Sequence, residues 1–460
     1  MISPAKIDLP EFGVPAALPE LSAAEYETRL AQTVARMKRE QLDVLAMYAD
    51  REHSANMNFL LGFDPRFEEA LLLLDQKGQR LLLAGNECLG CLPEKVPCPV
   101  ERFQEFSLMG QPRDQSQPLK KLLADFGIGE GAVVGCLGWK YYAGPNIAQP
   151  RTALEIPSFI VDALRELAGG TEQVVNANAL LMGVEDGLRL FNSAEQLARF
   201  EYAAAHVSTS VRRAIESLRE GIAEKEVAEN FCAGGLTLSC HPMVSFGEKA
   251  RRELSSPSDR RAKTGDAFTM AFGVEGGLTA RAGVIAAGPQ DLAPELRDFY
   301  PRFAENYFAV VAAWYATVKV GATAGEVFAA VEAVRKPELF SLALNPGHYL
   351  HLDEWVHSPF ANGNSVKLRS GMALQADIIP ISAGPFCCSN AEDGVALADQ
   401  KLRAELAARF PECWRRITAR RQFMRDALGI TLDESVLPLS NVPGWLPPYA
   451  LAPEQALRAD

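Results

Sequence analysis

The chain has 460 residues, with Lys+Arg 46 against Asp+Glu 58 and a formal net charge of -12 at pH 7. Hydrophobic residues are 48% and charged residues 23%, the balance of a folded globular protein long enough for two or three domains. The acidic balance repels phosphate backbones, which excludes nucleic acid as a main partner, and no apolar run approaches the roughly 18–20 residues that cross a bilayer.

The first residues carry charge and prolines where a signal peptide carries an apolar stretch. The 9 cysteines are an odd count scattered along the chain, which suits reduced thiols and a cytoplasmic protein.

Residues 1–20 read as a lead-in. Ser22 and Glu25 have the spacing of a capping box, and Tyr26, Leu30, Val34 and Met37 recur at helical spacing, which predicts a helix from Ser22. An apolar run at 44–48 predicts a strand, and 70–74 with 81–84 a hairpin turning at 75–78. Further on, 119–126 and 159–167 read as helices and 132–137 and 173–176 as strands. Short strands alternating with helices predict a smaller α/β domain over residues 21–185.

Ser193 with Gln196 opens a long helix to about Glu220. From there, long helices and β-rich pairs are grouped, as in α+β folds. Strands are predicted at 268–274, 279–287, 348–357, 372–379 and 394–398, with a helical stretch at 294–317. This second domain spans 190–435. The tail, 436–460, holds Pro438, Pro443, Pro447, Pro448 and Pro453 and is predicted to lie on the surface without regular structure. One internal echo joins the halves: Gly221 precedes Glu226-Val227 as Gly321 precedes Glu326-Val327, each after a long helix. Two related halves make a sheet lined from both sides.

The richest chemistry lies at 345–357, with His348, His351 and His357 beside Asp353 and Glu354. Read as one strand, it sends His351, Asp353, Trp355 and His357 to one face and His348, Leu350, Leu352 and Glu354 to the other. Asp377 sits within an apolar run, where a carboxylate needs a partner, a proton or a metal. Glu392 and Asp393 precede another predicted strand.

The ordered set Gly347-His348, Gly371-Met372 to Asp377, and Glu392-Asp393-Gly394-Val395 resembles the C-terminal half of the pita-bread fold, the family of creatinase, aminopeptidase P, prolidase and methionine aminopeptidase. The helix at 29–41, the run at 42–45, the segment 58–63 and the hairpin ending at Asn86-Glu87 resemble the amino-terminal domain of creatinase and aminopeptidase P. The resemblance implies an α+β pita-bread domain behind a creatinase-type α/β domain, and a homodimer acting on a small molecule. Metallopeptidases of this fold hold two metal ions with two aspartates, one histidine and two glutamates. By the resemblance, His348, Asp377 and Glu392 fall at the histidine and glutamate positions, whereas Ala271 and Ala280 fall where the aspartates belong. A further family histidine falls near Leu254, before Pro257-Ser258-Asp259-Arg260.

Alanine supplies neither charge nor donor atom, and two hard dications need bridging carboxylates. The resemblance is therefore nearest to creatinase, which works without metal, although the Leu254 position departs from it. It implies a hydrolase of a C–N bond with no cofactor and with His348, Asp377, Glu392 and His357 as catalytic groups. Phe63, Arg66, His351, Asp353 and Glu354 are the residues assigned to the substrate, Arg66 by its likeness to a creatinase loop arginine. Two alternatives stand beside this. One divalent ion on His348, Asp377 and Glu392 is a recognised ligand number, in a peptidase-like enzyme or a lyase. An inactive binding relative is the other.

Overall fold

The structure is a computed structural model that describes residues 2–252 and 255–460. Leu254 lies outside the described residues. The chain forms two compact units, Leu21–Arg189 and Met1–Glu20 with Leu190–Asp460.

The unit Leu21–Arg189 is built on a six-stranded sheet. Its order is Val100–Arg102, Arg80–Ala84, Ala70–Asp75, Val44–Ala49, Val134–Leu137 and Val174–Asn176. The hairpin pairs antiparallel, Leu72 opposite Leu82, while Val44–Ala49 pairs parallel with Val134–Leu137. Both central strands are buried along nearly their whole length, which explains their unbroken apolar runs. Leu71, Leu73, Leu83 and Val134 pack against Ile160 and Leu164 of the helix Ser158–Ala168. The helix Ala23–Arg39 begins where the Ser22 hydroxyl accepts the Glu25 N–H at 3.2 Å.

The other unit holds two four-stranded sheets. One runs Asn390–Glu392, Gly277–Val284, Ala267–Val274, Met243–Phe246; the other runs His348–Tyr349, Ala373–Gln375, Gly394–Leu397, Val436–Pro438. Helices Ala194–Glu216 and Phe299–Thr317 supply the long apolar surfaces, and Tyr300, Tyr307, Trp314 and Tyr315 of the second are fully buried.

The internal echo is structural. Gly221 and Gly321 both take positive φ, 83° and 93°. Their N–H groups donate to Ala262 and Leu368 carbonyls at 2.9 and 2.8 Å. Glu226 and Glu326 each accept the N–H three residues earlier, from Ala223 at 3.3 Å and from Thr323 at 2.6 Å. Ala223 bridges Arg261 as Thr323 bridges Lys367.

The tail corrects the expectation of an irregular surface segment. Residues 436–450 are buried, Val436–Pro438 closes a sheet edge, and Gln455–Ala459 pairs antiparallel with Ile2–Lys6. The prolines remove N–H donors but leave carbonyls, and side chains use these: Arg281 donates to Val442 and Trp445, and Tyr300 to Pro448.

Candidate functional site

The site starts from a hairpin, not from the single strand expected at 348–357. The strand is only His348–Tyr349, paired with Ala373–Gln375. The Tyr349 N–H donates to the His357 carbonyl at 2.7 Å and the Val356 N–H to that of Tyr349 at 3.0 Å, so the chain doubles back through 351–353. Gly347 enters this turn at φ 103°, where a Cβ would stand 2.9 Å from the Gln375 carbonyl, so only glycine fits. The reversal buries Leu350, Leu352 and Val356. It also overturns the expected division into two faces. Glu354 Oε1 lies 3.0 Å from His348 Nε2, and the Trp355 ring stacks on the imidazole at 4.2 Å and 23°.

Asp377 comes from a second departure. The expected strand 372–379 breaks after Ala373–Gln375, and the chain crosses to Pro380–Ser382 in a different sheet. Asp377 lies in the crossover, 5% exposed. Tyr307 staples it in place: its hydroxyl donates to the Ile378 carbonyl at 2.8 Å and accepts the Ala391 N–H at 2.9 Å. One buried phenol thereby ties the neighbours of Asp377 and Glu392 together.

Glu392 ends the strand Asn390–Glu392, opposite Ala280. Ala280 in turn opposes Ala271, and Ala271 opposes Met243. Met243, Ala271, Ala280 and Glu392 therefore form one row across the sheet, with one carboxylate in it. Behind the row, Arg281 and Asp393 make a buried pair at 2.9 Å, both side chains 1% exposed, and Asp393 accepts the Gly444 N–H at 2.9 Å.

His348 Nε2 lies 3.0, 3.6 and 3.9 Å from oxygens of Glu354, Glu392 and Asp377, yet it is in line with none as a hydrogen bond. Nδ1 lies 3.2 Å from the Tyr349 carbonyl, which holds the ring and aims Nε2 into the cluster. Burial alone would push the imidazole pKa down. The charge and close approach of Glu354, the close approach of Glu392 and the charge of Asp377 outweigh it and hold the pKa well above the ordinary value. Burial, then the charge of Asp377, drives the Glu392 carboxyl well above the usual range, with His348 acting against that shift. Both shifts act in the same direction, favouring the protonated form of Glu392 and of His348.

Glu354, Asp377 and Glu392 line a cavity of about 360 Å³, with Trp355, Cys240, Met243, Ala271, Leu278, Ala280 and Ile379 on its walls. His348 is fully buried and reaches the cavity through the carboxylates and Trp355. The imidazole is not itself among the cavity walls. Burial, followed by the charge of Glu354, pushes the Cys240 thiol up to about 12, so it is neutral.

The other expected residues fall elsewhere. His351 is buried edge-on against Phe200 at 5.3 Å. His357 gives its carbonyl to the hairpin, and burial lowers its imidazole pKa; neither ring is among the cavity walls. The Asp353 carbonyl closes the turn, accepting the His351 N–H at 3.1 Å. Phe63 is 1% exposed, a core residue of its own unit with no surface to offer a ligand. Arg66 holds Asp64 within one loop, Nε to Oδ2 at 2.7 Å. Glu354, read from sequence only as a group for substrate charge, is the carboxylate nearest His348. Tyr307 and Arg281 were not singled out, since nothing in their spacing distinguishes them from ordinary core.

The donor set fits one divalent ion and not two. Oxygens of Glu354 and Glu392 and a nitrogen of His348 lie within 4.8 Å of one another, with the buried His348 Nε2 3.0 Å from the nearer carboxylate. The row through Ala271 and Ala280 has no atom to hold a second ion.

Residues 198–384 match metallopeptidase family M24. No curated sequence matches. Among solved structures, the chain is similar to dipeptidase PepE from Mycobacterium ulcerans, at 19% identity and TM-score 0.59 over 82% of this chain and 95% of that one. It is similar to the prolidase from Thermococcus sibiricus, at 18% identity and TM-score 0.62 over 82% and 95%, and to the prolidase from Pyrococcus horikoshii, at 16% and 0.61 over 81% and 95%. At such identities these structures speak for the fold alone; with the family match, residues 198–384 form an M24 domain, in the pita-bread fold of the creatinase, aminopeptidase P and prolidase family.

Proposed function

We propose that the protein is a hydrolase that cleaves a C–N bond in a small amino-acid-like substrate, creatinase-like in needing no pair of metals. The observation that carries this reading is the row Met243, Ala271, Ala280, Glu392, in which methyl groups stand opposite a carboxylate that shares His348 with Glu354.

The acid and base follow from the environments of the carboxylates. Glu392, whose protonated form is favoured by burial and by the charge of Asp377, donates its proton to the leaving nitrogen. Glu354, its side chain 25% exposed, takes the proton of the water that adds to the carbon. The C–N bond breaks as the new C–O bond forms, leaving Glu354 with a proton and Glu392 without one. His348 Nε2, 3.0 Å from Glu354 and 3.6 Å from Glu392, resets the pair by passing a proton between them. In this scheme His348 is a positioning and relay group, and Arg66 and a homodimer remain proposals drawn from the family likeness.

A second reading has its own observation, the three donors within 4.8 Å. His348, Glu354 and Glu392 would hold a single divalent ion, with Asp377 beside them in place of the set expected from sequence. Such an ion supplies a bound water that ionises near neutral pH. The residues named keep their places under either reading.

The experiment is a turnover screen of amides, ureas, guanidino compounds and Xaa-Pro dipeptides, run on chelator-treated and metal-supplemented protein. Turnover that survives chelation and falls at least about a hundredfold in Glu392→Gln supports the acid role. Turnover that appears only with stoichiometric metal moves the assignment to the second reading. No turnover of any compound leaves the binding relative.

A further inference from the structure

The sheet carries a second row beside the one that ends in Glu392. Ser245 opposes Thr269, Thr269 opposes Ala282, and Ala282 opposes Asn390. Each stands two residues from its counterpart in the row Met243, Ala271, Ala280, Glu392, so both rows project from one face. Thr269, Ala282 and Asn390 are cavity walls, with Ser389 beside them. The two rows lie about 6.8 Å apart at about 3.4 Å per residue.

The polar groups of this second row are unspent. Thr269 is 7% exposed, and its hydroxyl is buried without a hydrogen-bond partner. The Asn390 carboxamide meets the Tyr307 hydroxyl through Oδ1 at 3.5 Å, and among the described residues its Nδ2 finds no acceptor. Buried polar groups are nearly always paired, so a free hydroxyl and a free amide in one cavity wall call for a ligand group. The strands of Thr269 and Asn390 flank that of Ala282, which places them about 9.6 Å apart at about 4.8 Å per strand. Ala282 between them presents only a methyl group. A planar amide spans that gap, its carbonyl oxygen accepting from the Asn390 Nδ2–H and its N–H donating to the Thr269 hydroxyl oxygen.

The surrounding charge selects a neutral group. Glu354, Asp377 and Glu392 are walls of the same cavity. Among the described walls the one permanent cation is Arg281, and its guanidinium is spent on Asp393 and on the carbonyls of Ala280, Glu392, Val442 and Trp445. A ligand carboxylate at Thr269 and Asn390 meets like charge, finds no free cation and brings no N–H for the threonine.

We propose that Thr269 and Asn390 form a subsite for a neutral amide of the substrate, about 6.8 Å from the row where Glu392 acts. The substrate is thus capped by an amide at that end in place of a free carboxylate. The assignment rests on the hydrolase reading only in taking this cavity as the substrate site, and it adds the class of substrate. Thr269 and Asn390 are specificity-determining residues and take no part in bond cleavage.

The test is calorimetric binding to chelator-treated protein at neutral pH. The probes are the diamides from malonamide to adipamide, each set against the monoamide of the same chain and against the half-acid. Two hydrogen bonds between neutral groups give the best diamide at least about a tenfold gain over its monoamide, and the half-acid falls below the diamide by as much. Affinity peaks at one chain length, because the rows stand at a fixed spacing. Thr269→Val and Asn390→Leu each cut the gain over the monoamide about fivefold, whereas a loss of packing alone moves both probes alike.

The wild-type series decides the matter even where a variant does not fold. Equal binding of diamide and monoamide, or no binding of either, overturns the subsite. A half-acid that binds as tightly as its diamide overturns the choice of a neutral group. Diamide selectivity in a protein that turns over no compound leaves the subsite standing and removes the hydrolase reading. Turnover of monoamides without that selectivity does the reverse.

Discussion

Placing carboxylates on the sheet face beside Glu392, Ala271→Asp with Ala280→Asp, should give a site that holds two divalent ions. Ala271 and Ala280 are direct cross-strand partners, and Ala280 is the direct partner of Glu392, so the new side chains and Glu392 stand about 4.5–5.5 Å apart in sequence along one row. Two dications about 3.5 Å apart repel by about 19 kcal/mol at an effective dielectric of 20, and a carboxylate about 2.2 Å from one of them attracts it by about 15 kcal/mol on the same scale. A bridging carboxylate therefore outweighs the repulsion, and carboxylates at 271 and 280 add two such groups where the sheet face now carries only methyl groups. The double variant should be less stable than wild type without metal, since three neighbouring carboxylates then face one another. Each bound ion should add about 2.7 kcal/mol of stability at a metal concentration a hundredfold above its dissociation constant. Metal content after dialysis, read by elemental analysis, and unfolding with and without manganese check both parts. Two ions per chain in the wild-type protein would falsify the charge argument.

Other consequences are as direct. Arg281→Ala or Asp393→Ala breaks a pair with both side chains 1% exposed and should cost about 3–5 kcal/mol in urea unfolding. Tyr307→Phe removes the bonds to Ile378 and Ala391; it should cost about 1–3 kcal/mol and lower kcat more than it raises KM, and an unchanged kcat would show that the staple does not set the site. Stability should fall as pH rises. His348, with its folded pKa raised above 6.5, contributes fully below that value and loses its contribution as pH climbs through the folded one. Glu392, raised above 4.5, begins to penalise the folded state above 4.5, so both act in one direction. Urea midpoints compared at about pH 6 and pH 9 should show a smaller fall in His348→Gln than in wild type, and equal falls would refute the assignment.

Much of the fold was legible because apolar periodicity and caps are local signals. Ser22 and Ser193 begin their helices as the spacing of Glu25 and Gln196 implies. The strand Ala267–Val274 starts and ends within a residue of its apolar run. The site was legible in its residues and not in its shape. His348, Asp377 and Glu392 meet as the family resemblance implies, but Glu354 reaches His348 only because the chain reverses between Tyr349 and His357. The stretch 345–357 alternates well enough to pass for one strand, and the close approach of Gly347 to Gln375 that forces the turn is a long-range contact. The tail was misjudged for a related reason. Its prolines forbid regular ladders, while the buried arginine and tyrosine that satisfy its carbonyls lie more than a hundred residues away.

The fold does not depend on which residues stand at 271 and 280, for a reason that also limits what likeness of fold can say. Strand register in the sheet that carries Ala271, Ala280 and Glu392 is set by main-chain pairing and by the alternation of buried side chains. Neither depends on whether a position on the cavity face is aspartate or alanine. An alanine there avoids like-charge repulsion with Glu392 in the metal-free protein, so the sheet can keep its register whichever residue stands at these positions. The reaction must therefore be argued from the charge left in the cavity, three carboxylates around one buried imidazole, and not from the scaffold that holds them.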